Sequence, residues 1–313
     1  MKGPAQLVWQ TINEFLSDGC PQMAAAISFY TLFSLPPLLV VVIMLVDPFL
    51  ARDAALQLIE REVGNLIGPQ GAAQLDMLLE NVTRPGQGGP LAATLGIAAF
   101  AFGATAAFAQ LQGALNAAWQ VGPDPQRGDV INFLLKRLFS FLMILVIGVM
   151  LLASFLLSAA LAAFGTALEL LAPGLPSGSI LRVLETAITF TVTVFLFTGM
   201  FRLLPDARVR WGPALFGGLV TATLFTAGKL AISYYLGSTD PGSAYGAAGS
   251  LAMVLIWIYY SSMILLIGAE FTQVWMRRRG QPIEPERGAV RVILRRERYE
   301  PDEQPTVQEG AKE

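Results

Sequence analysis

From Met23 to Val46 the chain carries no charged side chain, and similar runs recur along its length. About 20 apolar residues in a helix match the roughly 30 Å of hydrocarbon in a bilayer. A soluble core cannot hide several such runs at once. The 313 residues are 54% hydrophobic and 14% charged, against about 25% charged in soluble domains. The fold class expected is therefore all-α, a polytopic membrane protein built as a six-helix bundle. The spans fall at 23–46, 91–118, 133–164, 181–204, 212–236 and 245–275. Lipid offers no partner to a free N–H or carbonyl, so each span must satisfy its own backbone as a helix.

Lys and Arg placement orients the bundle. With the amino terminus inside, the inner segments hold Lys2, then Arg127, Lys136 and Arg137, then Arg202, Arg208 and Arg210, and finally the arginines from Arg277 to Arg298. The outer segments hold only Arg52, Arg61, Arg84 and Arg182. Basic inner loops put both termini in the cytoplasm. The net charge of −2 averages over these two sides and excludes nothing. A single cysteine, Cys20, rules out an intramolecular disulfide, and the chain has no histidine. The commonest general base and the commonest zinc ligand are thus missing together.

Three segments flank the spans. Residues 1–22 place Val8, Ile12 and Phe15 at helical spacing beside Trp9, which reads as a cytoplasmic interfacial helix. Residues 47–90 carry two more apolar faces, Leu56, Ile59, Val63 and Leu66, then Leu75, Leu78, Leu79 and Val82. They read as two amphipathic helices in the first outer loop, divided at Gly68 and Pro69. Residues 276–313 are basic and then acidic, and from Gln281 on a tail without packed structure is expected.

Inside the first span, Pro36 and Pro37 fall near the middle. Proline removes a backbone donor and crowds the carbonyl four residues earlier, here that of Leu32. One reading is a kink that shapes packing; the other is a discontinuous helix at a midplane site, as transporters use. Ser28, Thr31 and Ser34 lie close enough to supply the missing donor. The candidate pathway or helix break comprises Ser28, Tyr30, Ser34, Pro36 and Pro37, with Gln112 and Asn116 four residues apart on the second span. Glu185, Lys229 and Glu270 lie within spans, where a charge needs a partner or water. Depth pairs Lys229 with Glu185, and Glu270 with Arg202 or Arg208; structural pairing and a role in transport both fit. Gly242 and Gly246 form a G-x-x-x-G that Gly249 extends, a surface for helix packing.

The stretches AAAISFYTLFSLPPLL, YGAAGS and IGAEFTQVW together resemble the YihY/BrkB family of bacterial inner-membrane proteins, formerly labelled ribonuclease BN. The resemblance runs from about residue 5 to 280 and implies a multi-pass inner-membrane location with no settled molecular function. The old label fits poorly, since RNA hydrolysis usually needs metal-binding carboxylates or a histidine base. Here Asp124, Asp129, Asp206 and Glu270 are isolated in sequence. No G-x-x-x-x-G-K-[ST] loop occurs, so ATP hydrolysis is not expected. No catalytic residue, metal, cofactor or specific nucleic acid is expected. The function expected is transport or translocation of an amphiphile or envelope precursor through a polar crevice; the alternative is a non-transporting scaffold for envelope machinery. Membrane lipids are the expected partners, with a second copy or an envelope protein as a further one.

Overall fold

The computed structural model describes residues 3–46, 90–124, 177–239, 249–286 and 288–292. Its helices are α1 (Pro4–Ser17), α2 (Cys20–Val46), α3 (Pro90–Ala118), α4 (Ser177–Leu203), α5 (Trp211–Thr239) and α6 (Gly249–Arg278). Short strands close the loops: β1 (Val121–Pro123) after α3, β2 (Ala207–Arg208) after α4, then β3 (Glu284–Pro285) and β4 (Ala289–Arg291) after α6. Thr186–Leu203, Trp211–Ile232 and Val254–Arg278 are long and apolar enough to cross a membrane by length and composition. Helices α2 and α3, of 27 and 29 residues, coincide with the first and second expected spans. The protein is an all-α membrane protein. The third expected span, 133–164, lies outside the described residues, as do residues 47–89 of the expected amphipathic loop 47–90, the Gly242/Gly246 motif and residues 293–313.

Helix α6 is the axis of the bundle, packing against α1, α2, α3 and α5, while α2 pairs with α3 and α4 with α5. The closest seam joins α5 to α6 through two G-x-x-x-T pairs, Gly217/Thr221 and Gly268/Thr272. A Cβ at Gly217 would stand 1.9 Å from Thr272 Oγ1, and one at Gly268 would stand 1.8 Å from Thr221 Oγ1. Each glycine thus receives the partner's threonine, the close backbone approach that small residues permit in membranes. Gly218 makes the same contact with Thr198 of α4, at 2.4 Å from its Oγ1. On the other side of the bundle, α3 meets α2 where a Cβ at Gly103 would stand 3.2 Å from Ser34 Cα.

Helix α2 runs unbroken from Cys20 to Val46, so the backbone stays helical through Pro36 and Pro37. The first span is not two half-helices. Nor do the two serine hydroxyls serve the Leu32 carbonyl: Ser28 donates to the Ala25 carbonyl and Ser34 to that of Thr31, each at 2.8 Å. A hydroxyl on a helix reaches a carbonyl three or four residues back on its own face, which fixes these partners.

The segment after α6 departs from the expected unstructured tail. Gly280 takes a left-handed φ of 69°, and α6 closes with Gly280 N–H donating to Arg277 and Gln281 N–H to Met276. This pair of bonds is the glycine-terminated helix end that satisfies otherwise orphaned carbonyls. Pro282 then prevents continuation, and Ile283 enters the core, 8% exposed. Strand β3 pairs antiparallel with β2 (Ala207 opposite Pro285), and β4 with β1 (Val121 opposite Arg291). Gly288, with φ 87°, turns the chain between them. Composition missed this because charge and proline content do not show that two distant loops offer edges to pair with.

Candidate functional site

These strand pairs draw the ends of α3, α4 and α6 together, and α1 packs against α6 at the same place. Arg202, Arg208, Arg210, Arg277, Arg278, Arg279 and Arg291 therefore share one end of the bundle. Two of them stack on indoles, Arg202 at 4.2 Å over Trp211 and Arg279 at 4.0 Å over Trp275, an arrangement suited to a membrane–water boundary.

Helix α1 is strapped along this end. Arg278 Nε donates to Gln10 Oε1 at 2.8 Å, and Arg277 pairs with Glu14. Of the three apolar positions at helical spacing, Phe15 is buried, whereas Val8 and Ile12 remain exposed beside Trp9 and Leu16. The strap thus keeps an outward apolar stripe of the kind that lies in an interface. A tight corner follows, with Asp18 N–H on the Glu14 carbonyl and Gly19 at φ 72°. This turn drops Cys20, wholly buried, beneath α6.

Facing it is Glu270, also 0% exposed. The Cys20 thiol donates to Glu270 Oε1 at 3.5 Å. Glu270 Oε2 and Gln273 Oε1 are buried without a hydrogen-bond partner among the described residues. Glu270 and Gln273 lie three residues apart, on one face of α6. The indole of Trp119 closes the site from α3, its Nε1–H donating to the Ala269 carbonyl at 3.0 Å and its ring edge-on to Phe201 at 6.0 Å. A small cleft opens alongside, lined by Trp119, Gln120, Gln273, Arg277, Pro282, Ile283 and Arg291. It combines two guanidinium groups, two amides and an indole. Among the described residues no three His, Cys, Asp or Glu side chains converge as metal ligands would.

The structure revises the expected pairings. Glu270 meets neither Arg202 nor Arg208: the Arg202 guanidinium donates to the Val209 carbonyl while stacking on Trp211, and Arg208 is exposed. Position along a span says nothing of the direction in which a side chain faces around the helix axis. Asn116 is buried and clasps Asp206, its Nδ2 donating to Oδ2 at 3.1 Å and its Oδ1 accepting from the Asp206 N–H at 2.8 Å. It anchors the α4–β2 loop. Gln112, half-buried, lies one turn before it, and Tyr30 is exposed with its ring edge against Phe29. Lys229 is half-buried on α5 beside Gly228, whose Cβ position is taken by the Tyr260 hydroxyl. The side chain of its expected partner, Glu185, lies outside the described residues. Gly249 begins α6, after the undescribed part of its motif.

Cys20, Trp119 and Gln273 escaped sequence reasoning as site residues. The signal was present for Gln273, since IGAEFTQVW sets a second polar group one turn beyond Glu270.

Comparison with known proteins bears on the whole of this arrangement. Residues 11–291 match the family described as Virulence factor BrkB. A UPF0761 membrane protein of Alkalilimnicola ehrlichii is 30% identical over 265 residues, 83% of this chain and 56% of the relative. One from Pseudomonas aeruginosa is 29% identical over 295 residues, 91% of this chain and 68% of the relative. One from Photobacterium profundum is 26% identical over 288 residues, 90% of this chain and 86% of the relative. The chain thus spans little more than half the length of the first of these. No solved structure matches it. Because the match over residues 11–291 takes in the second half of α1, the Cys20 corner, Glu270 and the hairpin alike, the chain belongs to the BrkB family of membrane proteins.

Proposed function

We propose that this protein translocates an amphiphile across the bacterial inner membrane, with both termini in the cytoplasm and the Glu270 site at the cytoplasmic end. The observation that carries this reading is Glu270 itself. A fully buried carboxyl in a membrane chain, with one oxygen lacking a protein partner among the described residues, is expensive to keep. A purely structural role would favour an apolar residue there. The neighbouring cleft of Arg277, Arg291, Gln120 and Gln273 supplies donors and acceptors for a polar headgroup, while the exposed Val8, Trp9, Ile12 and Leu16 stripe suits the apolar part at the interface. The many arginines collected at one end support the orientation.

Two measurements test this. Purified protein reconstituted in liposomes is expected to accelerate exchange of a fluorescent phospholipid between leaflets, and Glu270→Gln is expected to slow it about tenfold or more, the effect of removing one functional ionisable group from a span. A folded wild type that moves neither lipid, solute nor ion overturns the proposal. Separately, a reporter active only in the cytoplasm should work when fused after Gln126 or Gly280 and fail after Gly86 or Gly242. The reverse pattern at any one of these sites refutes the orientation.

A further inference from the structure

We propose that the cleft between α6 and the β1–β4 pair binds a phosphate carrying a hydroxyl or ammonium donor: the phosphate lies between Arg277 and Arg291, and the donor meets Gln273. This names the substrate class within the translocation reading and rests on that reading for its role, while binding itself is tested without transport.

Three elements deliver the groups. Gln273 and Arg277 are four residues apart on α6 and so share a face. Arg291 arrives on β4, opposite Val121 of β1, and Gln120 ends α3 just before that strand. These four side chains line one cleft, and among the described residues no carboxylate lines it with them. Glu14 engages one guanidinium nitrogen of Arg277 from α1, which steadies that fork and leaves Arg291 uncompensated at the cleft wall. Two guanidinium groups from separate elements suit the tetrahedral oxygens of a phosphate, whereas a single one fills the flat edge of a carboxylate.

Two further observations point to a ligand. Gln273 is 7% exposed, and its Oε1 has no hydrogen-bond partner among the described residues. A buried amide oxygen calls for a donor. The oxygens of a phosphodiester only accept, so the donor must be carried beside the phosphate. Gln120 supplies the second observation. Among the described residues it is the one non-glycine with left-handed backbone, at φ 56°. Glycine takes that conformation at a helix end without steric cost; here the position keeps a side chain, and that side chain lines the cleft. The Gln120 carbonyl accepts the Val292 N–H at 2.8 Å, so the same residue ties α3 to β4.

Burial sets the order of the groups. Gln273 is buried, while Arg277 and Arg291 are exposed. The cleft volume is about 20 Å³, room for one small polar group and too little for an acyl chain. The donor therefore sits at the floor and the phosphate at the mouth, with any apolar part outside. The Arg202–Trp211 and Arg279–Trp275 stacks at this end of the bundle favour a lipid headgroup over a soluble phosphoester as the source.

Delipidated full-length protein in detergent is titrated with three lipids, and native mass spectrometry counts the bound molecules. Phosphatidylglycerol carries phosphate and hydroxyls, phosphatidylmethanol carries the phosphate without a donor, and a fatty acid carries only a carboxylate. Phosphatidylglycerol is expected to bind about tenfold more tightly than phosphatidylmethanol, the effect of satisfying one buried acceptor, with the fatty acid weakest. Arg291→Gln should weaken both phospholipids about tenfold, the loss of one charge-assisted contact, and its exposed position spares the core. Arg291→Lys should restore little of this, whereas charge attraction alone would be restored by lysine. Gln273→Leu should bring phosphatidylglycerol down to the level of phosphatidylmethanol. In competition, phosphatidylglycerol outbinding glycerol phosphate marks a lipid headgroup; the reverse order marks a soluble phosphoester and keeps the phosphate site. Unchanged binding in a folded Arg291→Gln, equal affinity for phosphatidylglycerol and the fatty acid, or equal affinity for the two phospholipids in the wild type would each overturn the inference. Binding without exchange between leaflets defeats translocation and leaves this site standing; exchange with unaltered binding in Arg291→Gln does the opposite.

Discussion

Leucine in place of Gly268 leaves no monodisperse, folded protein in detergent, and even Gly268→Ala loses about 3 kcal/mol or more, at or above the upper end of ordinary overpacking. The cause is the α5–α6 seam. A methyl at Gly268 would stand 1.8 Å from Thr221 Oγ1, 2.9 Å from its Cβ and 3.1 Å from its Cγ2. Thr221 cannot easily turn aside, because its hydroxyl donates to the Gly217 carbonyl at 2.7 Å. Thr272 makes the matching bond to Gly268, also at 2.7 Å. The helices must therefore separate, and both threonine–glycine contacts loosen together. Thermal unfolding followed by size-exclusion chromatography measures the loss. Adding Thr221→Ala to Gly268→Ala removes the two atoms at 1.8 and 3.1 Å and should recover part of it. A Gly268→Ala protein that melts like the wild type would show that the seam is not packed this closely.

The second large effect is expected at Trp119. Its side chain is 2% exposed, meets Phe201 edge-on and donates to the Ala269 carbonyl. Trp119→Ala should cost about 3–5 kcal/mol, the range for emptying a large aromatic site. Trp119→Phe separates ring from donor. It keeps most of the packing but leaves the Ala269 carbonyl buried without this partner, at about 1–3 kcal/mol. The ordering wild type, then Phe, then Ala in melting temperature is the prediction. Equal losses for Phe and Ala would mean that the hydrogen bond, not the ring, holds this end together. Because Ala269 immediately precedes Glu270, the Phe variant should also loosen the carboxyl's setting, visible as faster labelling of Cys20.

How far the chain could be read without coordinates depended on whether each property is local. Span positions are local: an uncharged run such as 23–46 must be helical in lipid whatever surrounds it, because its backbone has no other partner. A helix at the amino terminus and the presence of Glu270 inside a long apolar helix were legible for the same reason. The G-x-x-x-T pairs of α5 and α6 were visible as letters, yet small residues on a helix do not say which face meets which neighbour. The G-x-x-x-G at Gly242 and Gly246 looked the more obvious packing surface, and it lies outside the described residues.

What the sequence determined by itself was membrane residence and helical class, both set by the cost of placing polar groups in hydrocarbon. Only the tertiary structure decided who meets whom. It placed Cys20 against Glu270 across 250 positions and Asn116 against Asp206 across 90. It also turned residues 281–292, which composition reads as a tail, into strands that bind the α3 and α4 loops. Such pairings depend on the rotation of each helix about its axis and on edges offered by distant loops. Neither is encoded in hydropathy along the chain, so the site became visible only when α1, α2, α3 and α6 were brought together around one carboxyl.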